Sequence, residues 1–185
     1  HQNAKGNFYF VQLKSYRGWL PANKVALTDR KTFLEFADPK DFGVVTEKLL
    51  TVSGAGSSSW LYQMGRKIPL SPKGRVLLPF RSSSGQLYPV EMPAPWNEGL
   101  HKGYLPYTSN NLVTMAFKHL GAPYGWGGMH NSVDCSAFAQ DVYKTMGIEL
   151  PRNGDEQENA WHGTNLKGLG WNDRDKIIKT LPTGT

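Results

Sequence analysis

The spacing of apolar residues changes near Thr108, and this change constrains the fold more than any other feature of the sequence. Before it, short apolar runs are separated by Gly, Pro and Ser segments, a pattern typical of small half-buried strands. After it, apolar residues recur at helical spacing, as at Leu112, Met115, Ala116 and Leu120. The sequence therefore predicts an α+β chain in which a β-rich part is followed by a helical part.

The β-rich part is divided by a polar connector. We predict the final strands of a first β module at residues 1–27, the connector at 28–41, a second module that forms a small β-barrel at 42–107, and a helical domain at 108–185. Two segments, GWLPANKV and HKGYLPYT, resemble the closing strands of bacterial SH3-like modules. The resemblance implies that the barrel is SH3-like and that the first module is a remnant.

The single cysteine of the chain lies where a second helix should begin. A helix is predicted over residues 135–146, with Asp134 as its N-cap and Gly147 at its end, so Cys135 lies in the first turn. The unpaired N–H groups and peptide dipoles at a helix N-terminus stabilise a thiolate there. The neighbouring carboxylate opposes it, so Asp134 is interpreted as a cap or as a partner for a substrate amine. One cysteine excludes an intrachain disulfide and leaves packing, chance exposure or nucleophilic catalysis as its role.

The other helices are bounded by polar and helix-breaking residues. Ser109 can cap the first helix, and Gly121 with Pro123 can end it. Residues 155–162 and 173–180 are each expected to form a short polar helix. The apolar stripes of the first two helices, which include Leu120 and Phe138, are expected to face inward and to form a core.

The segment before Cys135 alternates aromatic residues with glycines. Tyr124 and Trp126 stand among Gly125, Gly127 and Gly128, and glycine lets a backbone approach closely. We therefore expect room for an extended peptide here, with Trp126 as a candidate for contact with it.

Three segments in order, APYGWGG, VDCSAF and GIELPRNGDEQ, resemble the NlpC/P60 family of papain-like cysteine peptidases over roughly residues 109–185. The resemblance implies an incomplete papain-like domain with Cys135 as the nucleophile, Tyr124 near the oxyanion, and Asp134 and Ser136 lining a pocket for the substrate amine. It further implies that the substrate bond joins γ-D-glutamate to a diamino acid in peptidoglycan stem peptides. The β-barrel would form one wall of the cleft.

The sequence departs from the family pattern at three points. Ala137 replaces the glycine that usually follows the D-C-S motif, and Gly154 stands where a substrate-binding serine is common. The family's histidine base follows the cysteine helix on a strand, and none of the five histidines matches that position. His162 is the only one after Cys135, and it lies in a polar segment. We therefore expect a protein truncated at both ends, with the base in a missing C-terminal segment, and an inactive isolated chain.

Composition narrows the classes of partner. Lys and Arg number 21 against 15 Asp and Glu, a formal net charge of +6 that suits an anionic partner such as a cell wall. The basic residues are scattered, so nucleic acid is not predicted. Apolar runs are too short for a membrane span, and the His and carboxylate spacing predicts no metal; no cofactor is expected.

These observations predict a secreted or cell-envelope peptidase that acts on peptidoglycan. Two alternatives stay open at this point. A non-catalytic peptidoglycan-binding protein with a relic peptidase domain accounts for the missing histidine. An acyltransferase on the same scaffold would use the same thiol chemistry with a different acceptor.

Overall fold

The chain folds into a mixed α/β structure, with most of its strands before most of its helices, as the sequence predicts. It is described by a computed structural model at residues 1–14, 16–54, 56 and 58–185. The first helix of the helical part begins at Ser109, where the spacing of apolar residues changes.

The N-terminal segment forms a hairpin and a helix. β1 (Phe8–Gln12) and β2 (Arg17–Pro21) pair antiparallel. The predicted connector contains a helix that the sequence analysis did not foresee, α1 (Arg30–Ala37). This helix begins there because the Asp29 carboxylate accepts a hydrogen bond from the backbone N–H of Thr32 at 2.9 Å.

Seven short strands of the following segment are described: β3 (Phe42–Val45), β4 (Leu49–Ser53), β5 (Ser59–Gln63), β6 (Lys67–Pro69), β7 (Val76–Arg81), β8 (Leu87–Met92) and β9 (Leu100–Lys102). They form three antiparallel sheets among the described residues, in the orders β6-β3-β9, β4-β5 and β7-β8. The strands that the structure describes do not close into the predicted barrel, because short strands and Gly- and Pro-containing turns interrupt the hydrogen bonding between sheets. The SH3-like character of this region stays a prediction.

One apolar core holds these three sheets together. Its members come from all three sheets and are nearly free of solvent contact: Val45, Leu50, Val52, Ile68, Leu70, Val76, Leu78 and Leu100. Burial of aliphatic side chains stabilises a fold by roughly 1.5–3 kcal/mol each. Side-chain packing therefore joins sheets that are not joined by one continuous hydrogen-bonded ladder.

The helical part contains α2 (Ser109–Phe117), α3 (Cys135–Lys144), α4 (Gly154–Ala160) and α5 (Trp171–Ile178). Thr108 rather than Ser109 caps α2, because the Thr108 hydroxyl accepts a hydrogen bond from the backbone N–H of Asn111 at 3.2 Å. In the described part of the chain, no helix combines the length and the apolar character needed to cross a membrane.

The β-rich and helical parts share a second core, and the β-rich part packs closely against α3. Met64, from the turn after β5, is buried with Leu112 and Met115 of α2, Val142 of α3 and Met146 of the turn after α3. The next residue, Gly65, lies so close to α3 that a Cβ atom there would be 2.5 Å from the Cβ atom of Lys144. The Leu105 N–H also donates to the Thr145 carbonyl at 2.9 Å. The helix that carries Cys135 is therefore anchored to the β-rich part.

Candidate active site

The N-terminus of α3 places Cys135 at the first position of the helix, as predicted. Asp134 adopts an extended backbone conformation (φ −94°, ψ 173°), and its carboxylate accepts a hydrogen bond from the Ala137 N–H at 2.8 Å. The predicted N-cap is thus confirmed. The Cys135 thiol is exposed, so a reacting group from solution can reach a sulfur that lies at the positive end of the helix dipole.

A cavity of about 480 Å³ adjoins Cys135. Most of its wall is apolar and comes from the end of α2, the residues just after it and the first turns of α3, including Phe117, Leu120 and Phe138. Tyr124 lines the same cavity. The sulfur therefore lies at the edge of a concave surface and not inside the core.

Tyr124 lies beside Cys135. The pKa of the Tyr124 hydroxyl is raised. The largest cause is the negative charge that Cys135 can carry, and desolvation and a side-chain hydrogen bond with Cys135 are smaller causes. The backbone brings the two residues together, because Tyr124 forms a parallel bridge with Val133, two residues before Cys135. A phenol with a raised pKa stays protonated at neutral pH, so Tyr124 can donate a hydrogen bond to an oxyanion.

The Asp134 carboxylate is paired with Arg152, a residue that the sequence analysis did not select. Arg152 Nη2 donates to Asp134 Oδ2 at 2.6 Å, and Nη1 donates to Oδ1 at 3.2 Å. The Arg152 side chain is only 17% exposed and the Asp134 side chain only 4%. The hydrogen bond from Arg152 is the main reason why the pKa of Asp134 is lowered to about 2, so the carboxylate is ionised at neutral pH.

Ser136 and Gln157 extend this network. The buried Ser136 hydroxyl accepts from Arg152 Nη1 at 3.0 Å and donates to Asp134 Oδ1 at 3.2 Å. Gln157 Nε2 donates to the carbonyls of Ser136 and Pro151, at 3.0 and 2.9 Å. The predicted roles of Asp134 and Ser136 toward a substrate amine stay predictions. To bind either side chain, a substrate amine would have to replace one of these hydrogen bonds.

Trp126 is the first residue of a 3₁₀ turn, Trp126–Asn131, which precedes Cys135 in the chain. Its side chain is 84% exposed. The next residue, Gly127, has a φ of +72°, and its N–H donates to Asp134 Oδ2 at 3.1 Å. The positive φ explains why glycine is required here. Trp126 is thus available for contact with a ligand, and that contact stays a prediction.

One histidine, His119, lines the same cavity as Cys135. It is buried, its ring packs edge-on to Phe138 with 5.3 Å between centroids, and neither ring nitrogen has a hydrogen-bond partner among the described residues. Burial, and then the charge of Lys48, lowers the pKa of His119. The imidazole is therefore neutral at neutral pH.

The other histidines lie elsewhere. His101 Nδ1 is 3.2 Å from the Gly103 carbonyl, and His130 and His162 are exposed. In the part of the chain that the structure describes, no hydrogen bond joins a histidine ring to Cys135. The described residues of the site therefore bring together an exposed thiol and a phenol hydroxyl, without a histidine bonded to the thiol.

Asp141 is a second residue that the sequence analysis missed. It lies on α3, on the side packed against Gly65, and burial raises its pKa to about 6 although Lys144 and Arg66 favour its charged form. A carboxylate in a helix indicates a solvent-exposed face, and only the close contact between α3 and the β-rich part could reveal that Asp141 is half-buried. Asp141 therefore bears on the stability of the helix that carries Cys135.

Comparison with known sequences shows what the segment around this site is similar to. Residues 121–170 match the profile described as "NlpC/P60 family". The γ-D-glutamyl-L-lysine dipeptidyl-peptidase of Bacillus cereus is 26% identical over 162 residues, which cover 78% of this chain and 44% of that protein. The Bacillus subtilis protein of the same name is 32% identical over 63 residues, 34% of this chain and 21% of that protein.

The probable endopeptidase p60 of Listeria innocua is 45% identical over 47 residues, 25% of this chain and 10% of that protein. The chain spans less than half the length of each of these relatives.

Solved structures show the same fold. An NlpC/P60 endopeptidase from Photobacterium damselae subsp. piscicida superposes with a TM-score of 0.72 and 21% identity, over 86% of this chain and 35% of that one. An NlpC/P60 family protein from Bacillus cereus gives a TM-score of 0.53 and 22% identity, over 84% of this chain and 51% of that one. The predicted resemblance to the NlpC/P60 family is thus confirmed for residues 121–170, the segment that contains Tyr124, Asp134, Cys135 and Arg152.

Proposed function

We propose that this chain contains the nucleophile of a cell-wall cysteine peptidase, which hydrolyses the bond between γ-D-glutamate and a diamino acid in peptidoglycan stem peptides. One observation carries the proposal. An exposed thiol, Cys135, lies at the first position of a helix within the segment that matches the NlpC/P60 family. The names of the two Bacillus relatives, γ-D-glutamyl-L-lysine dipeptidyl-peptidase, support the choice of substrate bond.

Cys135 acts as the nucleophile in this proposal. Its sulfur attacks the γ-carbonyl carbon of D-glutamate and forms a C–S bond, while the carbonyl oxygen takes the negative charge. The C–N bond then breaks, and the leaving amine of the diamino acid takes the proton that the base removed from the thiol. Water attacks the thioester and gives one proton to the base, which returns it to the departing sulfur.

Tyr124 stabilises the oxyanion. Its protonated hydroxyl lies beside Cys135 and can donate to the oxygen that becomes charged. A preorganised donor of this kind is typically worth about 10²–10³ in kcat. The backbone N–H groups at the start of α3 are further candidate donors to the oxyanion.

The general base in this mechanism is a histidine that is not bonded to Cys135 in the structure. The neutral ring of His119 faces the same cavity but packs against Phe138. We therefore do not assign the base to His119. We assign it to a histidine that is not among the described residues. This assignment follows the family resemblance and is the part of the mechanism that a relic domain would lack.

The remaining assignments concern substrate binding. Trp126, exposed in the 3₁₀ turn that precedes α3 in the chain, provides an aromatic surface for an extended peptide. Asp134 and Ser136 receive the substrate amine, and the β-rich, SH3-like part forms one wall of the cleft. The net charge of +6 favours an anionic cell wall, and we infer that the protein acts in the cell envelope or outside the cell.

Digestion of a defined stem peptide tests the proposed reaction. In a protein that also contains the proposed histidine base, we expect conversion of L-Ala-γ-D-Glu-L-Lys into L-Ala-D-Glu and L-Lys, with products identified by mass spectrometry. The same peptide with an α-linked glutamate is the control and should stay intact. If the protein retains peptidoglycan in a pull-down assay but cleaves neither peptide, the non-catalytic alternative replaces the peptidase.

A further inference from the structure

The ion pair between Arg152 and Asp134 joins three segments at the site. The two oxygens of Asp134 accept from Arg152, from the Ala137 N–H at 2.8 Å and from the Gly127 N–H at 3.1 Å. The carboxylate thus connects the first turn of α3, the 3₁₀ turn before it and the segment between α3 and α4. An ion pair at a solvent-exposed surface would not hold three segments in this way.

Arg152 is itself held in place by the backbone around it. Gln140 Nε2 donates to the Leu150 carbonyl at 2.7 Å, and Gln157 Nε2 donates to the Pro151 carbonyl at 2.9 Å. The Ser136 hydroxyl accepts a hydrogen bond from the guanidinium at 3.0 Å. The position of the guanidinium is therefore fixed relative to α3 before any ligand binds.

The charge of Asp134 opposes a thiolate on the adjacent Cys135. A carboxylate next to a sulfur disfavours negative charge on that sulfur, whereas a helix N-terminus favours it. The raised pKa of the Tyr124 hydroxyl has Cys135 as its largest cause and Asp134 as a smaller one, so this hydroxyl lies near both charges. The Arg152 guanidinium, bonded to Asp134, offsets the negative charge of that carboxylate. The favourable effect of the helix N-terminus on a thiolate then remains.

We propose that Arg152 is a positioning residue for Cys135, which holds the Asp134 cap and offsets its charge so that the thiol at the start of α3 can react as a thiolate. This role deepens the proposed peptidase function and rests on Cys135 being its nucleophile. Arg152 acts through Asp134 and Ser136 and needs no contact with substrate.

Alkylation of the single cysteine by iodoacetamide tests this role without any peptide substrate. The wild type is compared with Arg152→Met, Asp134→Asn and the double variant, at neutral pH and low salt, with folding checked by thermal melting. We expect Arg152→Met to react about 3- to 10-fold more slowly, because the Asp134 charge is then unpaired. The double variant should return to within about twofold of the wild-type rate, because both charges are gone.

Two controls separate this electrostatic effect from a loss of structure. Arg75→Met removes an arginine from another ion pair, with Glu91 at 3.7 Å, and should leave the alkylation rate unchanged. Arg152→Lys keeps the charge and should restore most of the rate. Folded Arg152→Met that reacts at the wild-type rate, or a double variant as slow as Arg152→Met, overturns the proposal.

A second comparison applies if Arg152→Met does not fold. Asp134→Asn keeps the Arg152 guanidinium at the start of α3 without its carboxylate partner, so it should react faster than the double variant, and equal rates would overturn the proposal. Peptide digestion reports separately on the proposed function. If alkylation follows the expected pattern but no variant cleaves peptide, Arg152 tunes the thiol and the peptidase assignment alone fails.

Discussion

Replacement of Cys135 by alanine is expected to abolish cleavage of the γ-D-glutamyl peptide, with a loss of at least about 10³-fold in kcat/KM. Alanine keeps the helical position and removes only the sulfur, which is exposed and lies outside both apolar cores. The thermal midpoint should therefore change little. The measurement is the peptide digestion described above, with the two proteins at equal concentration.

Ser109→Ala is the matched control for this substitution. Ser109 is also an exposed first residue of a helix, and it is not the cap of that helix. Its replacement should leave both turnover and stability unchanged. Turnover by folded Cys135→Ala near the wild-type rate contradicts the nucleophile assignment.

Replacement of Asp141 by asparagine is expected to stabilise the protein at neutral pH by about 1–3 kcal/mol. Burial raises the pKa of Asp141 to about 6 in the folded protein, above the ordinary value of 3.8. The folded state therefore binds the proton more tightly than the unfolded state does. This contribution to stability is present below about pH 4 and is lost as the pH rises through about 6.

Urea unfolding at about pH 4 and pH 7 measures this effect. The free energy of unfolding of Asp141→Asn should exceed that of the wild type at pH 7 and approach it at pH 4. Glu158→Gln, which neutralises an exposed carboxylate on α4, is the control and should show little difference at either pH. A variant that is less stable than the wild type at pH 7 would show that the charges of Lys144 and Arg66 outweigh burial.

Local sequence signals predicted the start of the nucleophile helix. A capping residue before an apolar stripe placed Asp134 at the N-cap and Cys135 in the first turn, and the structure confirms both. The two short polar helices near residues 155–162 and 173–180 are also confirmed, as α4 and α5 with slightly earlier bounds. These features depend on neighbouring residues alone, which is why the sequence was sufficient.

Other features depend on residues far apart in the chain, and there the sequence was insufficient. Arg152 pairs with Asp134 across 18 positions, and no local pattern indicates that pairing. The predicted inward positions of Leu120 and Phe138 are not confirmed, since the two side chains are 82% and 37% exposed. Periodicity shows which side of a helix is apolar but not what covers it.

The strand arrangement shows the same limit. The short strands between residues 42 and 102 were predicted from apolar runs and turn residues, and they are present. Whether they close into one sheet depends on pairing between strands far apart in sequence, which alternation within each strand cannot determine. The three sheets observed share a core without forming a single ladder among the described residues.

The central claim is that the Cys135 sulfur forms a bond to the substrate carbonyl carbon, and peptide mapping after an acid quench during turnover measures this directly. Trypsin should release residues 119–144 as one fragment, which contains the only cysteine. We predict that this fragment gains the mass of the L-Ala-γ-D-Glu acyl group and loses it on treatment with hydroxylamine. Turnover with the acyl group on another fragment, or with a Cys135 thiol that stays open to alkylation throughout, would contradict the account.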